Sequence, residues 1–140
     1  ADGLAAFTTN YNSPEWLKSQ YYIWTSALGY EVIYPNGALL ENLVTRWIGG
    51  TVREDEVEGS LNDIYSNEMM NDWWAPIDMQ NPTNRFDLVK TNSGFWAGWY
   101  DIFLMGNLAS YRGFNFESQE AVRHQSLILI DPLGHCQVSI

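Results

Sequence analysis

Two adjacent tryptophans, Trp73 and Trp74, end an apolar helical pattern and open a loop rich in Pro, Asn and Asp. Neighbouring positions on a helix do not share a face. Both indoles therefore cannot enter the same core, and one is expected at the surface. The loop behind them supplies Asp78, Asn81, Asn84 and Arg85. A stacking ring beside hydrogen-bond donors and acceptors suits a sugar or a peptide. These six residues are the candidate ligand-binding set. The competing expectation is that both rings close the core at the helix end.

Groupings that could catalyse are sparse, and no catalytic residue is assigned. The two histidines are His124 and His135, the second beside the single cysteine, Cys136. A nucleophilic pair needs spatial contact and a third, orienting group. Neighbours on a strand point to opposite faces, so the expectation is a partly exposed His next to a small buried Cys. Asp78, Asp87 and Asp101 show no spacing that pairs them. Asp101 interrupts an apolar run and needs a partner such as Arg85 or Arg112, as a structural ion pair. Gly49-Gly50 lacks the following Lys-Ser/Thr of a phosphate cradle. Glu54, Asp55, Glu56 and Glu58 could in principle ligate calcium, but a calcium loop has spaced Asp/Asn ligands and a central Gly. They read as a solvated acidic loop, so no metal and no cofactor is expected.

The elements that must position these residues read as follows. Residues 1–12 are an irregular arm. Ser13-Pro14-Glu15 is a helix start, followed by Leu17, Tyr21, Trp24 and Leu28 on one face. Tyr30–Tyr34 is a short extended run. For 38–48 two readings compete, a hairpin through Asn36-Gly37 and a helix ending at Gly49-Gly50, with the pairing of apolar residues favouring the helix. Ser60 and Asp63 suggest a capping box for a helix running to Trp74. Residues 75–93 are a long loop with a short extended piece at Phe86–Val89.

The organising stretch is Gly94–Gly113. Phe95/Trp96, Trp99/Tyr100, Phe103/Leu104 and Asn107/Leu108 recur every four residues, which predicts a buried aromatic helix over about 95–111. Gly98 and Gly106 inside it imply close approach of a neighbouring backbone. It is too short and too polar to span a membrane. Ser118 can cap a further helix to about Ile130. Alternatively, Leu127–Ile130 pairs with Cys136, Val138 and Ile140 in a short C-terminal β-hairpin around Asp131-Pro132-Leu133-Gly134. The expected fold is therefore mainly α, one small helical domain spanning 1–140.

A chain of 140 residues with 46% hydrophobic residues has enough apolar mass for one core. Seven Trp, eight Tyr and six Phe exceed what a small core easily hides. A net charge of −10 repels nucleic acid and anionic membrane surfaces. One cysteine excludes an internal disulfide and a Cys-rich zinc site. Ala1 without a Met or a signal segment reads as a processed, exported protein, and equally as simple loss of an initiator Met.

Three stretches, in order, resemble a known family. Arg46-Trp-Ile-Gly-Gly-Thr-Val-Arg53, Trp96-x3-Tyr100-x2-Phe103-x3-Asn107 and Asp131-Pro-Leu-Gly-His-Cys-Gln-Val-Ser139 are similar to elements of SusD/RagB-like proteins. The family has Pro where Gln137 stands here. These are outer-membrane lipoproteins that capture glycans or peptides for a TonB-dependent transporter. The resemblance implies a mainly α, non-catalytic binding protein at the cell envelope, docked on a larger protein partner.

The leading expectation is thus capture of a glycan or peptide through exposed aromatics. The second is a structural or assembly subunit, homo-oligomeric or part of a larger complex or viral particle, with its aromatics at interfaces. The third is a small enzyme whose aromatic-lined cavity converges on Asp101 or His124 as base.

Overall fold

Between Asn92 and Tyr100 the buried side chains include Ser93, Phe95 and Ala97, at every second position. That is the period of a strand, and this segment is strand β2 (Asn92–Tyr100) rather than the start of a helix. The computed structural model describes residues 2–12, 14–81, 83 and 85–137. The fold is mixed α/β, which overturns the expectation of a mainly helical domain. The four-residue pairing of aromatics also contains a two-residue alternation. Phe, Trp and Tyr favour strands, and Gly98 would weaken a helix, so the strand wins.

In the described residues, β1 (Ser19–Ile23), β2 and β3 (Leu127–Gly134) form a three-stranded sheet in that order, all parallel. Tyr22, Phe95 and Ile128 stand side by side on one face. Tyr21, Gly94 and Leu127, then Ile23, Trp96 and Leu129, form rows on the other. Helices α1 (Asp2–Asn12) and α5 (Leu104–Arg112) pack on the first face. There Phe7 stacks on Tyr22 with ring centres 3.9 Å apart, and Phe95 and Phe114 complete an aromatic core.

The long β1–β2 excursion holds α2 (Gly29–Ile33), α3 (Glu41–Thr51) and α4 (Val57–Ser66). Tyr30, Tyr34, Val44, Ile48, Ile64 and Trp74 form a second core there.

Several expected elements change. Residues 2–12 are a helix and not an irregular arm, because Phe7 and Asn10 are buried against the sheet. The expected helix from Glu15 is a turn followed by β1; Ser13, its proposed cap, lies outside the described residues. Tyr30–Tyr34 lies mostly in α2. The 38–48 segment takes the helical alternative from Glu41 and continues through Gly49-Gly50. Ser60 lies inside α4, which stops at Ser66, and Trp73-Trp74 fall on a separate 3-10 turn, Asp72–Ile77. Phe86–Leu88 is also a 3-10 turn rather than extended. Past Gly113 the chain winds on as one π-helical turn, Gly113–Glu117.

The predicted helix over 119–130 and the C-terminal hairpin are both replaced by β3, one continuous strand whose Pro132 falls at an irregularity in its pairing with β2. An edge strand tolerates a residue without an N–H. Val138 and Ile140, the hairpin's other arm, lie outside the described residues. No helix of the described residues is long and apolar enough to cross a membrane.

Candidate active site

Parallel strands deliver their C-terminal ends to one edge of the sheet, where open α/β folds hold ligands. Here those ends carry Trp24 after β1, Asp101 after β2 and His135 after β3. The Asp101 carboxylate has no solvent exposure, and both oxygens face Nδ1 of His135, at 3.1 and 3.2 Å. An ionised carboxylate only accepts, so Nδ1–H donates and Nε2 is left as the free ring nitrogen. The expected partners of Asp101, Arg85 or Arg112, are not the ones it meets.

Each half of the pair is held by its own chain. The Asp101 N–H donates to the Gly98 carbonyl at 3.1 Å, and the Phe103 N–H donates to the Asp101 carboxylate at 2.8 Å. The Leu104 N–H donates to the Asp101 carbonyl, which starts α5. Between Gly98 and Tyr100 the β2–β3 register shifts, an irregularity that re-aims the residues after it. Gly98 is required there, because a Cβ would overlap the Leu133 carbonyl. On β3, Asp131 accepts from Trp96 Nε1 and from the Leu133 N–H, fixing the approach to His135.

Aromatic rings surround the imidazole: Phe103 with ring centres 5.0 Å away and Trp24 at 6.4 Å, edge-on. Trp24 adopts φ 48° and Cys136 φ 56°. A bulky residue in the left-handed region is strained, and such strain collects at functional sites.

His135 opens on a cavity of about 590 Å³. Asp101 lies behind His135 and outside the cavity wall. The walls are predominantly apolar and come from three sources. The strand ends give Trp24, Thr25 and Phe103. The first turn of α1 gives Gly3 and Leu4. The excursion gives, among others, Val44, Trp47, Ile64 and Trp73. First-turn amides of a helix have no partner within the helix, and they point outward from its positive end.

The six sequence-derived ligand residues divide. Trp73 is exposed and Trp74 buried, their rings in edge contact at 4.6 Å, and both line the cavity. The Trp74 indole N–H donates to the Asn67 carbonyl at 2.9 Å. Asp78, Asn81 and Arg85 do not line it. Buried Asp78 accepts the Tyr30 and Gln80 N–H groups, and burial pushes its carboxyl above the ordinary range. Asn81 donates to the Asn71 carbonyl, and Arg85 donates to the Ala75 and Asp78 carbonyls. These groups brace the loop. Asn84 lies outside the described residues.

His124, the other suggested base, is exposed and meets Phe116 edge-on, away from the cavity. Sequence reasoning missed His135 as the partner of Asp101, and with it Trp24 and Phe103. The available signal was a titratable residue closing each of two largely apolar segments, GFWAGWYD and LILIDPLGH, the second interrupted by Asp131. The motif Trp96 to Asn107 spans β2, a turn and α5 rather than one helix. No protein-family model matches this chain, and no curated protein matches it in sequence.

Proposed function

We propose that the chain carries the acid–histidine pair of a hydrolytic, acyl-transfer site. The observation that carries this is the buried Asp101 carboxylate on His135 Nδ1, at the C-terminal edge of a parallel sheet and beside the cavity. An Asp that holds a His in one tautomer, leaving Nε2 to take a proton, is the working core of Ser-His-Asp chemistry. The order Asp then His, each just past a parallel strand, is the order in which α/β-hydrolases present them.

The chemistry follows. Nε2 takes the proton from an attacking water, whose oxygen adds to the carbonyl carbon of an ester. Asp101 stabilises the imidazolium so formed. Gly3 and Leu4, in the first turn of α1, line the same cavity, and their N–H groups are the donors we assign to the oxyanion of the tetrahedral intermediate. Collapse breaks the acyl C–O bond, and the imidazolium returns its proton to the leaving alcohol. Overall, ester and water become acid and alcohol.

The test is hydrolysis of p-nitrophenyl butyrate. His135→Ala should remove turnover, and Asp101→Asn should lower kcat by on the order of 10⁴ through the wrong tautomer. Equal rates for the parent and His135→Ala would sink the proposal.

A second reading has one observation in its favour: Trp73, exposed, lines the same cavity. The chain would then capture a glycan or peptide without turnover, as an envelope protein does. Ligand-dependent Trp fluorescence unchanged by His135→Ala and lost in Trp73→Ala would favour it.

A further inference from the structure

The catalytic pair and the rest of the cavity come from different parts of the chain. Asp101 and His135 stand on the sheet, whereas the facing wall belongs to the β1–β2 excursion. On α3, Leu43 and Val44 and, one turn later, Trp47 and Ile48 all meet the cavity. Val44, Ile48, Ile64 and Trp74 are core residues as well as wall residues, so this wall is packed in place before any ligand arrives. Among the described residues no Lys or Arg lines the cavity, and the one carboxylate that does is Asp63 on α4. Among the described residues the lining hydroxyls are Thr25 and Ser60.

We infer that the α3–α4 wall binds the acyl part of the substrate, and that the substrates are esters of bulky, uncharged, apolar acids. This rests on the hydrolytic reading of Asp101 and His135. A volume of about 590 Å³ accommodates a ring or a branched chain. An acetyl group leaves most of the wall untouched. Each methylene it lacks forfeits about a fourfold factor in binding. A second carboxylate on the acyl group would meet no Lys or Arg among the described lining residues, and would share the cavity with Asp63 in a chain of net charge −10. The reaction is unchanged: the acyl C–O bond breaks, water supplies the new oxygen, and the alcohol leaves with the proton.

The experiment compares kcat/KM for p-nitrophenyl acetate, butyrate, cyclohexanecarboxylate and hemisuccinate, each corrected for its uncatalysed rate. The expected result is a rise of at least about tenfold from acetate to cyclohexanecarboxylate, with hemisuccinate at least about tenfold below butyrate. Trp47→Ala should shrink the cyclohexyl-to-acetyl ratio, and Trp47→Leu should restore part of it. In parallel, thermal shifts are read with the non-hydrolysable ketones acetone, cyclohexyl methyl ketone and levulinate. Only cyclohexyl methyl ketone should raise Tm, and less so in Trp47→Ala. Flat selectivity, or stabilisation by levulinate alone, overturns the inference. Flat selectivity with turnover still dependent on His135 overturns it and leaves the hydrolytic reading standing. Loss of that dependence with ketone binding intact removes the hydrolytic reading and leaves the wall as a site for apolar carbonyl ligands.

Discussion

At the scale of single residues, two positions carry consequences that the cavity itself does not display. Gly98 lets β3 approach β2 where the register shifts, with the Leu133 carbonyl in the space a side chain would need. Gly98→Ala forces backbone against backbone and is expected to lower stability by about 2 kcal/mol. Because Gly98 also accepts the Asp101 N–H, turnover should fall more than the stability loss explains. Urea midpoints and kcat on one preparation separate the two effects. Asp78 sets a pH dependence. Burial raises its folded pKa above the unfolded value of about 3.9. Between those two values the folded chain holds a proton that the unfolded chain has released. Its contribution is therefore fully present below the unfolded value and is lost as pH rises through the folded one. Stability measured upward from pH 4 should decline through this window in the parent and decline less in Asp78→Asn.

At the scale of elements, the sheet divides its side chains sharply. Phe95 on β2 is fully buried in the aromatic core, whereas Leu127 and Leu129 on β3 stand 60% and 49% exposed on the opposite face. Phe95→Ala should cost about 3–5 kcal/mol. Leu127→Glu with Leu129→Glu should stay within about 0.5 kcal/mol each, a contrast that denaturant titration resolves. The contrast also explains why β2 resembled a helix on paper. Its one-face pattern, Ser93, Phe95, Ala97, is overlaid by aromatics on the other face, Trp96 and Tyr100, which together fill in a four-residue repeat. Helix α3 was legible because its apolar pairs fall on helical spacing and no strand partner competes for them. Helix α1 was not, because Leu4 and Phe7 are its only large aliphatic or Phe side chains, and the Thr- and Asn-rich stretch after them reads as coil. What makes it helical is docking against Tyr22 and Phe114.

At the scale of the whole molecule, a net charge of −10 is held on 140 residues, and the described ion pairs between acids and arginine are surface contacts of Arg53. Self-repulsion then opposes compaction, and Tm should rise between about 10 mM and 150 mM NaCl, where the screening length shortens from about 30 to 8 Å. Sulfate and chloride at equal ionic strength separate screening from specific anion effects. Composition alone determined that the chain has apolar mass for a core, that it carries a large negative net charge and that rings are in surplus, because these depend on sums over residues. Local spacing determined α3 and the exposure of one of the two adjacent indoles. The meeting of Asp101 with His135, 34 residues apart, was beyond it. Only parallel pairing of β2 with β3, an interaction distant in sequence, brings the two strand ends to one edge and sets a buried carboxylate against the imidazole.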